Sequence, residues 1–344
     1  MNILSQGYQP ARAILVIFTK IILLLYSFLK IIARTALPLY CRKLVLNKPE
    51  ILAEKGPLLL ACNHPNSFLD SVILNTIFHE PVWSLARGDV FKKPFYIKLL
   101  GRLKILPVYR TSEGVENLSE NYKTFDECIA LFRKNAVVTI FSEGKCINEW
   151  HLRPLKKGTA RLATKAWEEG IPLKVLPVGI NYSSFNRFGK NMFINFGDII
   201  TMQSVDMRLP DGARHLQFNN MLKSELEKLV WEIPLQDKKQ QEEKLVVRIS
   251  LMKKTLLALP AAAGWLLHIP LFLPLKQFTV RKTKQNDHYD SLIVALHFFA
   301  YPVYLLLVTG LVVFLTFNWW SLLLLIALPF TAWSFVQLKP QLDN

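Results

Sequence analysis

Acidic residues and familiar catalytic signatures are scarce in this sequence of 344 residues. It has 26 Asp and Glu against 42 Lys and Arg, so the formal net charge is +16. No GxGxxG, P-loop, GxSxG or HExxH motif is present, so nothing supports dinucleotide binding, NTP hydrolysis, α/β-hydrolase chemistry or zinc-peptidase chemistry. The seven His show no metal-ligand spacing with the four Cys, and no zinc finger or RNP-type sequence accompanies the basic patches. We therefore expect no metal, no cofactor and no nucleic-acid partner.

Cysteine is also rare. The four residues, Cys41, Cys62, Cys128 and Cys146, form no CxxC pair. The N-terminus shows no short apolar run ending in a small-residue cleavage site, so no signal peptide is evident. These features predict four reduced thiols facing the cytoplasm.

The composition is both apolar and basic. Hydrophobic residues make up 51% and charged residues 20%, against about 45–50% and about 25% in ordinary soluble domains. This excludes a disordered chain and disfavours a plain cytosolic enzyme. Basic proteins bind anions such as nucleic acid, anionic lipid or phosphorylated substrates, and the apolar excess favours lipid.

One long segment lacks charge altogether. Residues 291–338 contain no Asp, Glu, Lys or Arg, which is enough for two membrane spans of about 20 residues each. The residues at 318–320, Asn-Trp-Trp, are typical of a membrane interface. We predict a transmembrane helical hairpin over 291–317 and 319–338. Two core helices of a soluble protein are the less favoured alternative.

Two further apolar segments have basic residues around or within them. Residues 255–275 have basic flanks on both sides, which favours a re-entrant or interfacial segment and leaves a true span as the alternative. Residues 13–40 are interrupted only by basic residues, which favours a helix lying in an anionic interface, with a span as the alternative. The basic run at 281–284 predicts that the catalytic part of this integral membrane protein lies on the cytoplasmic face.

The centre of the chain has the alternating pattern of an α/β fold. Helical stretches separate short apolar runs, which predicts a mostly parallel sheet covered by helices. Predicted strands cover residues 58–62, 82–86, 104–108, 136–141, 175–181 and 193–196, and predicted helices cover 115–134, 156–169 and 214–232. The chain then divides into an N-terminal membrane-associated helix (1–45), a catalytic domain (46–235), a linker helix with the interfacial segment (236–290) and the hairpin (291–338).

The most informative motif follows the first predicted strand of that domain. His64 stands where α/β folds place active sites, and histidine is the side chain most often used as a general base. Asp70 can hold the imidazole if the chain turns at Pro65-Asn66. Two other interpretations remain open: Ser67 and Asp70 as a capping box for a helix, and Cys62 as a nucleophile, which we consider less plausible for a buried strand residue.

Other strand ends carry charge. Gly101 to Arg110 forms a glycine turn, a strand and a terminal arginine suited to bidentate phosphate binding. The sequence from 139 to 145 ends another strand in Glu143 and Gly144, where a carboxylate can accept a hydroxyl hydrogen bond and the glycine permits close backbone approach. Lys156 and Lys157 add positive charge before a helix.

These motifs, in this order, resemble the glycerolipid acyltransferase family, which includes lysophosphatidate and glycerol-3-phosphate acyltransferases. The likeness covers about residues 50–200. Its four blocks are Asn63-His64 to Asp70, Gly101 to Arg110, Phe141-Ser142-Glu143-Gly144, and the strand containing Pro177. Five residues rather than four separate His64 from Asp70, which is similar to the fungal glycerol-3-phosphate/dihydroxyacetone-phosphate branch.

The third block departs from the family's usual Phe-Pro-Glu-Gly-Thr-Arg. Ser142 replaces proline, Lys145 replaces threonine and Cys146 replaces arginine. One cation expected by the resemblance is therefore missing, and Lys145, Arg153 or Lys157 are candidates to substitute for it.

The resemblance implies an O-acyltransferase with a glycerol-3-phosphate acyltransferase-like fold. Acyl-CoA or acyl carrier protein would donate the acyl group to glycerol 3-phosphate or a 1-acylglycerol 3-phosphate, at a bilayer and with no metal or covalent enzyme intermediate. His64 would be the base and Asp70 its partner, and the implied substrate-binding residues are Asn66, Gly101, Arg110, Glu143, Gly144, Lys145, Lys157 and Pro177. Alternatives are another lysolipid or aminolipid acceptor, a thioesterase, a non-catalytic lipid-binding protein and a membrane-tethered nucleic-acid-binding protein.

Overall fold

A seven-stranded sheet organises the part of the chain that the computed structural model describes, residues 26–91, 93–109 and 120–343. The strands, in chain order, are β1 Cys41–Leu46, β2 Leu58–Cys62, β3 Val82–Arg87, β4 Ile105–Val108, β5 Val137–Phe141, β6 Lys174–Tyr182 and β7 Lys190–Phe196. Their order across the sheet is β1-β7-β6-β2-β5-β3-β4.

Five of these strands run in one direction. β6, β2, β5, β3 and β4 are parallel, whereas β7 is antiparallel to β6, and β1 follows the direction of β7. The central strand β2 is buried along its whole length, as expected for a parallel strand covered by helices on both faces. The carboxyl ends of the parallel strands and the amino ends of β7 and β1 therefore lie at one edge of the sheet.

Helices cover both faces. They are α1 (26–40 where described), α2 Ser67–Ile77, α3 Pro94–Arg102, α4 Glu120–Phe132, α5 Gly158–Glu168, α6 Asp211–Leu229, α7 Lys238–Leu245, α8 Leu251–Thr283, α9 Tyr289–Thr316 and α10 Leu324–Leu338, the last preceded by a 3₁₀ turn at Trp319–Leu323. One core joins the sheet to α2, α7 and the start of α9, and a second joins the opposite face to α4, α5 and α6. The predicted α/β class with a mostly parallel sheet is confirmed.

The chain between 41 and 45 differs from its prediction. The sequence predicts an N-terminal membrane-associated helix up to residue 45, but residues 41–45 belong to β1, the edge strand paired with β7. Its second half is apolar, whereas Lys43 in its first half is exposed to solvent. Charged residues are typical of edge strands, and they interrupt the apolar pattern from which a strand is predicted. The predicted connecting helix over the charged linker shrinks to α7, and residues 1–25 lie outside the described part.

Basic residues of α1 bind the protein itself. Lys30 donates to the carbonyl oxygens of His79 and Glu80 at 3.3 and 3.2 Å, and Arg34 donates to that of Thr76 at 2.7 Å. These carbonyls lie at or just beyond the end of α2, where a helix exposes unpaired acceptors. The sequence placed these cations at a lipid interface, whereas the structure gives them this capping role.

Within the described residues, three helices are long and apolar enough to cross a membrane. They are α8, α9 and the segment from Trp319 to Leu338 that contains α10. The last two match the predicted hairpin, with Asn318 capping the turn between them. Membrane association is therefore indicated by length and composition, and the crossing itself stays a prediction.

The helix α8 packs closely against α10. Near its start, the Nζ of Lys253 lies 2.7 Å from Oε1 of Gln337. Further along, a Cβ built on Gly264 would lie only 2.1 Å from the carbonyl oxygen of Thr331. The first arm of α8, the part before Gly264, therefore runs antiparallel to the second half of α10.

The second arm of α8, the part after Gly264, returns toward the C-terminal end of α10. The Nζ of Lys339, just after α10, lies 5.3 Å from the ring centre of Phe272. A straight helix that passed Gly264 on this course would carry Phe272 away from Lys339, so α8 bends. Pro260 and Pro270 lie inside it on either side of Gly264, and an internal proline removes a helix hydrogen bond. The bend brings Lys253 and Phe272 of α8 toward the same end of α10, and the re-entrant course favoured from the sequence stays a prediction.

Gly264 tests this packing. Gly264→Ala should lower the thermal unfolding midpoint in detergent micelles, because the new methyl overlaps the Thr331 carbonyl and overpacking costs about 1–3 kcal/mol. The matched control is Gly310→Ala in α9, where a Cβ meets nothing within 4 Å. Equal midpoints for the two variants would contradict the close contact.

Candidate active site

The site begins where β2 ends at the carboxyl edge of the sheet. Asn63 follows β2, and its side chain bridges to β6: Nδ2 donates to the carbonyl oxygen of Ile180 at 3.0 Å, and Oδ1 accepts from the Ile180 N–H at 2.7 Å. This pair of bonds continues the β2–β6 ladder by a side chain. The next residue, His64, is thereby fixed relative to two central strands.

His64 and Asp70 meet directly. The Nδ1 of His64 lies 2.9 Å from Oδ2 of Asp70. The chain turns at Pro65-Asn66, and α2 then carries Asp70 back beneath the imidazole. The two residues predicted to work together are therefore in contact, and the His64 side chain keeps 14% of its surface exposed.

The Asp70 carboxylate is fully buried. Besides His64, its Oδ2 accepts from the backbone N–H of Asn66 at 2.9 Å, and its Oδ1 accepts from the hydroxyl of Tyr182 at 2.7 Å. A buried carboxylate needs such donors to avoid a large desolvation cost. Held this way, Asp70 fixes the Nδ1–H tautomer of His64 and can stabilise its protonated form.

The predicted capping box does not form. The N-cap of α2 is Asn66, with no side-chain cap hydrogen bond, and Asp70 is occupied by the donors just described. Cys62 is fully buried, and burial raises the pKa of its thiol well above the usual value, so it is no thiolate nucleophile. Both alternatives to the His–Asp pair are therefore wrong.

The imidazole of His64 keeps one ring nitrogen, Nε2, available for proton transfer. Its ring stacks on Phe141 at the end of β5, with centroids 3.9 Å apart and planes 14° from parallel. While Nδ1 is bonded to Asp70, Nε2 makes no hydrogen bond to any residue in the described ranges. That nitrogen can therefore accept a proton from a substrate.

Glu143 supports the loop rather than facing open space. Its Oε2 accepts from the backbone N–H of His64 at 2.8 Å, and its Oε1 accepts from that of Arg153 at 2.9 Å. The carboxyl is buried, and this desolvation raises its pKa to about 7. The sequence suggested a hydroxyl acceptor, but both oxygens already hold backbone groups. Next to it, Gly144 turns with a φ of +67°, a conformation that favours glycine.

The residue after the turn is strained. Ser67 has a φ of +51°, which is uncommon for a residue other than glycine. Its N–H donates to the sulfur of Cys146 at 2.9 Å, and its hydroxyl lies 2.7 Å from Nδ1 of His288. Cys146 thus helps to hold the turn at residues 64–67, which we call the catalytic turn because it carries the candidate base His64.

Three exposed lysines lie beside this loop. They are Lys145, Lys156 and Lys157, and none forms an ion pair with a residue that the structure describes. The side chain of Lys156 packs near Gly144, and Lys157 precedes α5. Unpaired cations at this edge can bind a phosphate.

No three His, Cys, Asp or Glu side chains come together as possible metal ligands within residues 26–91, 93–109 and 120–343.

Two predicted substrate residues lie away from His64, and a third is outside the described part of the chain. Gly101 ends α3 just before β4, so it stands at the opposite end of the sheet from His64. Pro177 is buried inside β6, in contact distance of Gly197 beneath α6. Arg110 lies outside the described residues, although β4 ends just before it at the carboxyl edge.

The sequence missed several residues of the site. Tyr182 ends β6, so a polar residue closing a strand at this edge could have marked it. Lys190 and Asp290 form a fully buried ion pair, and Asp290 also accepts from Nδ2 of Asn66 at 2.6 Å. These partners are far apart along the chain, and no local pattern joins them.

The raised pKa of Glu143 has a consequence for folding. Between its usual value of 4.5 and about 7, the folded chain binds a proton that the unfolded chain has lost. The free energy of unfolding should therefore fall as pH rises through this window, by at most about 3 kcal/mol. Glu143→Gln should lack this contribution. The difference in free energy of unfolding between the wild type and this variant should therefore decrease as the pH rises. The exposed Glu243→Gln is the control, and a pH-independent difference for Glu143→Gln would contradict the assignment.

Comparison with known proteins agrees with the predicted family. The family model described as Acyltransferase matches residues 43–181. A search of curated proteins found no significant match. A matching solved structure is the 1-acyl-sn-glycerophosphate (LPA) acyltransferase PlsC from Thermotoga maritima, 16% identical, covering 59% of this chain and 79% of that one with a TM-score of 0.42. The family-model range contains all four sequence blocks, so this part of the chain is similar to the family described as Acyltransferase.

Proposed function

We propose that this protein is a membrane-bound O-acyltransferase of phospholipid biosynthesis. It transfers a fatty acyl group from acyl-CoA or acyl carrier protein to a hydroxyl of glycerol 3-phosphate or 1-acylglycerol 3-phosphate. The observation that carries the proposal is the 2.9 Å contact between His64 Nδ1 and the fully buried carboxylate of Asp70. That arrangement leaves Nε2 as a base at the edge of the sheet.

The reaction needs one proton acceptor. Nε2 of His64 removes the proton from the acceptor hydroxyl as its oxygen attacks the thioester carbonyl carbon. The tetrahedral intermediate collapses, the carbon–sulfur bond breaks, and the leaving thiolate takes the proton back from His64. Asp70 stabilises the imidazolium between these steps. General base catalysis of this type contributes about 10²–10⁴-fold.

The positive charge near the catalytic loop supports a phosphorylated acceptor. Lys145 and Lys157 are exposed on segments that adjoin the Glu143 turn. Arg110, the third cation predicted from the sequence, lies outside the described residues. In this proposal they bind the phosphate while the acceptor hydroxyl reaches His64. Lys145 and Lys157 then supply cations where the family's third block has an arginine and this chain has Cys146.

The apolar helices support a lipid acceptor. α9 starts at Tyr289, and the adjacent Asp290 contacts Asn66 in the catalytic turn. A bilayer that contains α9 and α10 would have the catalytic loop at its surface, where the hydroxyl of a lysolipid lies. The proposed side is the cytoplasmic face, because the segment before α9 is basic.

The His–Asp pair gives the first test. His64→Ala and Asp70→Ala should lower acyl transfer in isolated membranes by at least about 10²-fold, because the base or its partner is lost, at similar protein abundance. Transfer is measured with labelled acyl-CoA and acyl carrier protein thioesters and a panel of acceptors. Label released as free fatty acid without acceptor would indicate a thioesterase.

The control for that test is another histidine of the same domain. His79→Ala removes an exposed imidazole beyond the far end of α2 and should retain wild-type transfer. Full activity of His64→Ala would end the proposed mechanism.

The lysines give a test of the acceptor. Combining Lys145→Ala with Lys157→Ala should raise KM for a phosphorylated acceptor about tenfold, because one charge-assisted hydrogen bond contributes about 1.5–3 kcal/mol. KM for an uncharged monoacylglycerol should stay the same. Lys239→Ala on α7, with a side chain 87% exposed, is the control. Equal rises for both acceptors would argue against phosphate binding by this pair.

A further inference from the structure

The start of α9 is built into the catalytic turn. Asp290 accepts from Nδ2 of Asn66 at 2.6 Å, and the hydroxyl of Ser291 accepts from the N–H of Leu69 at 3.3 Å. His288 completes the set, with its Nδ1 at 2.7 Å from the hydroxyl of Ser67. Residues 288–291 thus contact the Pro65-Asn66 turn and the first turn of α2 at three places.

Asp290 is the buried member of this set. It has no exposed surface, and neither has its ion-pair partner Lys190 at the start of β7. Its Oδ2 accepts from both Lys190 and Asn66. A buried ion pair with an additional donor is rigid, because either partner left alone would carry an uncompensated charge. The first turn of α9 is therefore fastened to the sheet and to Asn66 by one carboxylate oxygen.

Asn66 passes this constraint to the catalytic pair. Its side chain is held by Asp290, while its backbone N–H donates at 2.9 Å to Oδ2 of Asp70. The same oxygen receives Nδ1 of His64. A shift of Asn66 would change the position of the oxygen that orients the base.

We infer that Asp290, at the first turn of the apolar helix α9, is a positioning residue that acts through Asn66 to align His64 and Asp70. This inference rests on the proposed acyl transfer and adds to it a role for the chain beyond residues 43–181. The acyltransferase domain matched by the family model would then depend on the membrane hairpin for an ordered catalytic turn.

Two double variants isolate the contact from the ion pair. Asp290→Asn with Lys190→Met removes both charges and keeps an oxygen that can accept from Asn66. Asp290→Leu with Lys190→Met removes the charges and that acceptor. Replacing a buried ion pair by uncharged groups is often tolerated. The two proteins therefore differ in the hydrogen bond to Asn66.

The expected readout is a split between kcat and KM. The Leu variant should show a kcat about 10- to 100-fold below that of the Asn variant, as displacement of a catalytic group does, with KM for donor and acceptor changed less than about threefold. Adding Asn66→Ala to the Leu variant should lower its kcat little further, because both changes remove the hydrogen bond between Asn66 and residue 290. Equal kcat values for the two double variants, or fully additive effects of Asn66→Ala, would overturn the inference.

Hydrogen exchange provides a measurement that does not depend on activity. Asn66→Ala leaves the Lys190–Asp290 pair in place, so folding should be preserved. Amide exchange should rise in residues 64–70 and also in residues 288–294, while α6 is unchanged as the internal control. Unchanged exchange at 288–294 would refute the coupling, even if the double variants fold poorly. If His64→Ala remained active, the proposed function would fail, and the exchange result would still decide the coupling.

Discussion

The buried carboxylate of Asp70 is the interaction on which the site depends. It has no exposed surface, so every donor it meets must come from the protein, and three do: the imidazole of His64, the N–H of Asn66 and the hydroxyl of Tyr182. These donors belong to the turn after β2 and to the end of β6. Because an unpaired buried charge is costly, the turn and the strand are obliged to remain together. The same bonds set the tautomer of His64 and leave Nε2 for the substrate.

The parallel sheet supplies the place for this arrangement. β2, β5 and β6 are neighbours and end at one edge, which brings the His64 turn, the Glu143 turn and Tyr182 within reach of each other. Glu143 then ties the backbone of His64 to that of Arg153. Its role is to join two loops, and the exposed lysines nearby are left for a ligand. The reversed strand β7 begins at the same edge, which is why Lys190 can meet the first turn of α9.

The sequence predicted what local pattern controls. Short apolar runs gave β2 to β6 and part of β7, and the charge-free end gave α9 and α10, because periodicity and hydrophobicity are local properties. The contact of His64 with Asp70 followed from a turn at Pro65-Asn66. What escaped prediction depends on distant partners: β1 is a strand because β7 lies beside it, and Asp290 belongs to the site because α9 returns to α2. Gly101 and Pro177 match family blocks, yet Gly101 lies in α3 at the far end of the sheet and Pro177 is buried inside β6, so neither lies beside His64.

The bent helix α8 and the hairpin of α9 and α10 contact the catalytic domain on the same side. The start of α8 contacts the end of α10, Phe272 of α8 lies near Lys339 just after α10, and the first turn of α9 contacts Asn66. These helices therefore meet the domain at the side of the sheet that holds His64. A membrane that accommodates these helices must lie against that side. In the proposed function, the acceptor's acyl chain stays in lipid while its hydroxyl meets Nε2, and the lysines beside the turn face the layer where phosphate groups lie. The apolar excess and the positive charge therefore act at one surface.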